Sequence, residues 1–268
     1  RPIREADVKQ IHEIEKACFA MPWSEESILH DVKENVVARW LVLDDGNGGV
    51  LAYAGMWFVL DEAHVTNIAV RPDRRGLGYG KAITTAHLRE IFETLIAQGA
   101  HNINLVTPTH FLPWILPALE PKLSVPVVYN CGGYESVDTL RQLEGKVDIY
   151  LPDLKYADDA LAGTLSAAPD YFPVARLAIR EMVRQTGPCV LENGLLKRGV
   201  VIRHLVLPGQ LENTRRVIDW VSQTFQPGQV LFSLMSQYTP QPGAEGPLRR
   251  HVTAAEYRAA AEYMENCG

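Results

Sequence analysis

The sequence predicts an α/β fold, in which a mixed sheet near the start runs on into a partial parallel (β/α) barrel. Three observations carry this expectation. Two strand-like runs, 40–43 and 50–60, flank the tract Asp45-Gly46-Asn47-Gly48-Gly49, a hairpin signal. A strand-like run over 63–70 leads through a Gly-rich loop into a helical stretch over 81–98. From residue 101 the rhythm becomes strand then helix, with strand-like runs at 102–107, 126–130, 147–151, 200–206 and 229–234. Such alternation implies a parallel sheet, and its even spacing favours a barrel or part of one.

The elements follow in order. Val8, Ile11, Ile14 and Cys18 fall at helical spacing within 3–19, and Ser24 can cap a second helix running to about residue 32. The hairpin and the 63–70 strand come next, and the pattern changes character between 88 and 101. The last helix opens on Thr253-Ala254-Ala255-Glu256, a capping box in form. The Pro/Gly-rich stretch 238–247 is a long loop, either at a ligand-facing end or disordered.

A chain of 268 residues has room for one large barrel or two modest domains. With 47% hydrophobic and 22% charged residues it has the composition of a globule, and its net charge of -6 argues against a nucleic-acid partner. No apolar run reaches the ~18 residues of a membrane span, and the opening Arg1-Pro2-Ile3-Arg4-Glu5 is no signal peptide, so a cytoplasmic, membrane-free setting is expected. The missing initiator Met implies a start that is absent or processed. The 4 cysteines, Cys18, Cys131, Cys189 and Cys267, lie dozens of residues apart, which excludes a local zinc ribbon or a closely spaced iron–sulfur ligand set.

The sharpest motif is Arg75-x-x-Gly78-x-Gly80, set between a strand and a helix. Glycines at 76, 78 and 80 let the backbone approach a ligand and turn its N–H groups inward, and the helix from Lys81 adds its positive end. The result suits a pyrophosphate, with Arg74, Arg75 and Lys81 as further charge. The alternative is a glycine-rich turn with solvated arginines. Neither a Walker A spacing nor G-x-G-x-x-G is present.

Residues 1 to about 88 resemble the GNAT N-acetyltransferase superfamily, most closely its ribosomal-protein alanine N-acetyltransferases. The residues that carry this are Ile3-Arg4-x-Ala6-x-x-x-x-Ile11-x-x-Ile14-Glu15, Pro22-Trp23-Ser24 and Glu62-Ala63-His64-Val65-Thr66-Asn67-Ile68-Ala69-Val70, running into the glycine loop. The resemblance implies that the strand backbone at Ile68, Ala69 and Val70, with Arg75, Gly76, Leu77, Gly78, Tyr79, Gly80 and Lys81, holds acetyl-CoA. The acceptor would be an amine or a protein N-terminus. The family's basic Glu falls here on Val106, and no L-Y-x-x-x-G-F segment supplies its acidic Tyr. Loss of a positioned acid or base costs about 100- to 10,000-fold in rate, so the resemblance implies cofactor binding with impaired catalysis.

From about residue 88 the chain resembles radical SAM proteins similar to pyruvate formate-lyase activating enzyme. The segments are residues 98–110 (Gln98 to His110), 126–135 (Pro126 to Glu135), 147–156 (Val147 to Tyr156), 203–209 (Arg203 to Gly209) and 233–240 (Ser233 to Pro240). This implies a partial barrel with Asn130, Asp153, Lys155, Arg203 and Tyr238 at strand ends, Asp153 and Lys155 helping to bind S-adenosylmethionine. The alternatives are a local Asp153–Lys155 ion pair and, for Cys131, a packed small residue rather than a ligand or nucleophile. The family's C-x-x-x-C-x-x-C is missing, so a 4Fe-4S cluster and its radical chemistry are not expected.

The division expected is therefore a GNAT-like segment over 1–90 and a barrel segment over 91–268 that lacks its first strand and cluster loop. The strand at 63–70, the helix at 81–98 and the strand at 102–107 would form a parallel βαβ unit common to both patterns, bringing the glycine loop to the barrel's mouth. Three functional readings stay open: an acetyl-CoA-binding acetyltransferase module fused to a cluster-less barrel, a radical SAM activating-enzyme relative, and a non-catalytic or artefactual chimera. The pattern leaves the oligomeric state undefined.

Overall fold

In a computed structural model of the chain, residues 1–19, 21–59, 62–77, 79–240 and 243–267 are described. They divide into two compact units, Arg1–Val127 and Val128–Gly268.

The first unit opens with a 3-10 turn, Glu5–Asp7, and helix α1, Val8–Cys18. This helix starts later than its sequence pattern suggests. Ile3 donates its N–H to the Trp40 carbonyl at 3.0 Å, and Asp7 accepts the Arg4 N–H at 2.6 Å and the Arg1 guanidinium at 2.7 Å. The segment before α1 is thus tied to the sheet and cannot coil. Helix α2, Glu25–Lys33, is capped as expected, the Ser24 hydroxyl accepting the Ser27 N–H at 3.1 Å. Strands β1 (Ala38–Asp44), β2 (Val50–Val59) and β3 (Glu62–Val70) follow, then a 3-10 turn at Pro72–Arg74 and helix α3 (Tyr79–Ala97). Strand β4 (Asn102–Val106), a 3-10 turn at Thr109–Phe111 and helix α4 (Leu112–Ala118) complete the unit.

The sheet is mixed, in the order β1-β2-β3-β4. Strands β1, β2 and β3 pair antiparallel, and β3 pairs parallel with β4. The βαβ unit expected from sequence is therefore present as β3-α3-β4. The hairpin between β1 and β2 closes on Asp45, whose carboxylate accepts the N–H groups of Asn47 at 2.8 Å and Gly49 at 2.9 Å. Side chains alternate across the sheet. Trp40 and Val42 pack with Ile11, Ile14, Ile28 and Tyr53 beneath α1 and α2. Leu41, between them, faces α3 and shares a small hollow with Ile91 and Leu95.

One carboxylate lies inside that core. Glu15, on the buried face of α1, is fully enclosed. It accepts the Tyr53 hydroxyl and the Asn67 amide on one oxygen, the latter at 2.8 Å, and the Trp23 N–H on the other at 3.1 Å. Burial and this carboxylate hold the Tyr53 hydroxyl far above the ordinary phenol range.

The second unit contains β5 (Val127–Cys131), α5 (Val137–Arg141), β6 (Ile149–Pro152), α6 (Asp159–Ser166) and α7 (Tyr171–Thr186). It continues through β7 (Val190–Glu192), β8 (Leu195–Leu205), α8 (Leu211–Thr224), β9 (Leu231–Met235), a 3-10 turn at Gly246–Arg249 and α9 (Ala254–Cys267). Strands β5 with β6, β6 with β8, and β8 with β9 are parallel. The four parallel strands match four of the runs read from sequence, and the described strands do not close into a barrel.

Two features depart from the sequence pattern. Strand β8 begins at Leu195, well before residue 200, and its first half pairs antiparallel with β7, which the strand–helix alternation omits. The turn between them is Asn193-Gly194, both at positive φ (52° and 80°), a two-residue hairpin connection that the Asn-Gly dipeptide could have signalled. The other end of the unit follows expectation. Thr253 Oγ1 accepts the Glu256 N–H at 3.2 Å while Glu256 accepts the Thr253 N–H at 2.9 Å, closing the capping box. Of the loop 238–247, residues 241 and 242 lie outside the described set; Tyr238 donates its hydroxyl to the Leu248 carbonyl at 3.0 Å. Among the described residues no helix is long and apolar enough to cross a membrane.

His204 on β8 is completely buried. Nδ1 stands 2.6 Å from the Leu154 carbonyl and Nε2 3.0 Å from the Thr214 hydroxyl. A carbonyl can only accept, so Nδ1 carries the proton and Nε2 accepts from Thr214. Burial penalises the imidazolium and lowers the pKa to about 4, although the Leu154 bond works the other way.

Two predictions follow from these buried polar groups. Glu15→Ala leaves three donors without their acceptor and is expected to destabilise the first unit by about 3 kcal/mol, read as a lower urea midpoint. For His204 the unfolded chain binds the extra proton between its ordinary pKa of ~6.5 and the folded value of about 4. Stability is therefore full above pH ~6.5 and falls by about 3 kcal/mol as pH drops to 4. Trp220 fluorescence in urea titrations at stepped pH should show this loss, and His204→Gln should flatten it.

Candidate functional site

The site grows from an irregularity in β3. Gly55 of β2 stands opposite Asn67, and the next residue, Met56, stands opposite Val65, so Thr66 is an extra residue bulged out of the ladder. Gly55 makes the room: a Cβ there would come within 2.8 Å of Thr66 Oγ1 and 3.2 Å of the Trp40 ring. The pairing of β3 with β4 ends at the same place, since the register runs from Glu62 opposite Asn102 to Val65 opposite Leu105. Beyond it β4 pairs with none of residues 66–70.

The gap holds a cavity of about 290 Å3. Thr66, Asn67 and Ile68 form one wall; Leu105, Val106 and Thr107 form the other; Pro108, His110, Phe111, Ile115 and Phe19 complete it. Thr66 Oγ1 is buried and has no hydrogen-bond partner among the described residues. Asn67 is held by its bond to Glu15. Val106, at the position where the GNAT resemblance places a basic Glu, presents an aliphatic side chain to the cavity.

The remaining sequence candidates of this half lie at the carboxyl end of β3. Ala69 is buried and Val70 half-buried. Arg75 is exposed; its guanidinium donates to the Val70 carbonyl at 3.3 Å and reaches Cys18 Sγ at 2.9 Å. Asp73 pairs with Arg71 at 2.7 Å and with Arg74 at 3.5 Å, and among the described residues Arg75 has no carboxylate partner. Gly76 sits at φ +77°, a backbone state that favours glycine, and Leu77 is 60% exposed. Gly78 lies outside the described residues. Tyr79, Gly80 and Lys81 form the first turn of α3, whose free N–H groups therefore point back toward the loop.

In the second unit the polar candidates converge at the carboxyl ends of β5, β6 and β8. Arg203 Nη2 donates to Asn130 Oδ1 at 2.7 Å and lies 2.8 Å from Asp153 Oδ1. Lys155 Nζ is 4.0 Å from the other oxygen of Asp153, so the ion pair weighed from sequence is weaker than the Arg203 pair beside it. Tyr171, unremarked in the sequence, bridges this corner by donating to the Asp153 carbonyl at 2.8 Å and accepting the Lys155 N–H at 3.0 Å. Gly133 is tightly packed there, since a Cβ would meet the Asp153 carbonyl oxygen at 2.0 Å. Tyr238 turns instead to Leu248. Cys131 is buried, and burial pushes its thiol well above the ordinary range, the state of a packed residue. Among the described residues no group of three or more His, Cys, Asp or Glu side chains could hold a metal ion.

Residues 8–111 match the acetyltransferase (GNAT) family. A putative bS18-alanine N-acetyltransferase of Bacillus subtilis is 37% identical over 83 residues, 31% of this chain and 54% of its own. An uncharacterized protein of Methanocaldococcus jannaschii, MJ0674, is 32% identical over 172 residues, 61% of this chain and 46% of its own. The crystal structure of the ribosomal-protein-S18-alanine N-acetyltransferase from Escherichia coli is 31% identical, covering 38% of this chain and 61% of that one, with a TM-score of 0.30. The chain spans about half the length of the curated relatives it matches. These matches do not extend the radical SAM resemblance beyond the sequence pattern itself. Residues 8–111 carry a GNAT acetyltransferase domain.

Proposed function

We propose that the first unit binds acetyl-CoA and transfers its acetyl group to an amine, with a protein N-terminus as the acceptor class. The observation that carries this reading is the coincidence of the Thr66 bulge with the end of β3–β4 pairing, which opens a cleft at the strand that leads to the glycine loop. The pyrophosphate would sit on residues 75–81, where Arg75, the loop amides and the first turn of α3 supply positive potential. The pantetheine arm would run along the edge of β3 at Ile68, Ala69 and Val70. The thioester would reach the cavity beside Thr66 and Asn67. The B. subtilis relative's name specifies alanine of a ribosomal protein as acceptor, which supports an N-terminal α-amine here.

The test is calorimetry with acetyl-CoA. Gly76→Glu puts a side chain on a positive-φ residue and a carboxylate where the pyrophosphate is placed, and is expected to abolish binding. Arg75→Ala removes one exposed cation and should weaken binding about 5-fold. Equal affinity in all three proteins sinks this placement of the cofactor.

A second reading concerns the other unit. The convergence of Asn130, Asp153, Lys155 and Arg203 supports a site for a zwitterionic ligand such as S-adenosylmethionine, held without a cluster and without radical chemistry. Titration with S-adenosylmethionine should give saturable heat that Asp153→Ala removes, and no heat in the parent protein overturns it.

A further inference from the structure

The cavity between β3 and β4 lacks the carboxylate that the GNAT resemblance assigns to position 106, yet acyl transfer to an ammonium requires that a proton be removed. The nearby Glu15 does not meet this need. It is fully buried, and its oxygens are engaged by Tyr53, Asn67 and Trp23. Of the described side chains that line the cavity, Phe19, Thr66, Asn67, Ile68, Leu105, Val106, Thr107, Pro108, Phe111 and Ile115 cannot accept a proton near neutral pH. One can, and it is His110.

Its placement suits the task. His110 is the middle residue of the 3-10 turn Thr109–Phe111, which follows β4 directly after Pro108. The turn is closed by the Phe111 N–H donating to the Pro108 carbonyl at 2.8 Å. His110 is exposed and lines the cavity together with Asn67 and Ile68. Among the described residues no side-chain acceptor or donor holds it in another role. An imidazole is the side chain most often used as a general base.

We propose that His110 is the proton acceptor of the acetyl transfer. The amine nitrogen forms its bond to the thioester carbonyl carbon, and the C–S bond breaks with its electron pair going to the coenzyme A sulfur. The proton lost by the nitrogen passes to His110 and from there to the thiolate or water. The inference rests on the acetyl-CoA reading above and assigns the group that does its proton transfer.

The experiment measures acetyl-CoA binding by calorimetry and acetyl transfer to a short synthetic peptide with an N-terminal alanine. His110→Ala and His110→Gln are each expected to lower kcat by about 100-fold while acetyl-CoA affinity changes less than 3-fold. The parent pH–rate profile should show an ionisation distinct from that of the peptide amine, and both variants should lose it. Added imidazole should restore part of the rate to His110→Ala and none to His110→Gln. Full activity in His110→Ala with acetyl-CoA bound overturns the assignment and leaves the cofactor reading standing. Bound acetyl-CoA with no turnover by the parent protein at any pH overturns it too. Failure of the parent to bind acetyl-CoA overturns the cofactor reading beneath it.

Discussion

Strand β3 accompanies β4 for only four residue pairs, from Glu62 opposite Asn102 to Val65 opposite Leu105, and the first unit's chemistry depends on where that company ends. A parallel pair that ran its full length would bury its edge groups in ladder hydrogen bonds and leave no room between the strands. Here the extra residue Thr66 kinks β3 toward its other neighbour, where Gly55 has no side chain to resist it. Because β3 keeps its pairing with β2 on either side of Thr66, the bulge costs the sheet little and opens one edge. The cleft is thus held by the sheet rather than by a loop, which keeps its width fixed.

The buried carboxylate of Glu15 belongs to the same construction. A charge enclosed in an apolar core needs donors for its lone pairs. Its three donors come from three places: Tyr53 on β2, Asn67 on β3 just past the bulge, and Trp23 before α2. The network therefore ties α1 to the strand that carries the cleft, and it fixes the side chain of Asn67 on the cavity wall. A hydrophobic residue at position 15 would fill the core but would release that tie.

Local signals made much of this legible. The Asp45 turn, the Ser24 cap and the Thr253–Glu256 capping box all act within five residues, and sequence and structure agree on them. The β3-α3-β4 unit was legible for a similar reason, since a glycine loop between a strand and a helix leaves few topologies. The β7–β8 hairpin was equally local, but the strand–helix rhythm drew attention away from Asn193-Gly194. What the sequence did not disclose is long-range. Val65 and Thr66 look alike as strand residues, and nothing local says that β4 pairs with one and not the other. Glu15 falls on the apolar face of α1, and its role needs Asn67, 52 residues on. His110 closes a segment that bears only on the barrel resemblance, with no role attached to it; the cavity singles it out.

The division between backbone and side chains explains why the two halves of the site read so differently. Cofactor binding of the kind proposed rests on strand edges, loop amides and a helix end, groups that any sequence compatible with the fold supplies. Proton transfer rests on one titratable side chain, and a single substitution can move or remove it. On the acetyl-transfer reading, a cleft whose described lining has one imidazole and no carboxylate would also favour one class of acceptor. An α-amine with a pKa of about 8 is roughly one-tenth neutral at pH 7, so a weak base suffices for it. A lysine amine at ~10.4 is neutral less than one part in a thousand, and desolvating its ammonium beside aliphatic Val106 and Leu105 adds a further cost. On the acetyl-transfer reading proposed above, this lining would favour a polypeptide N-terminus over an internal lysine.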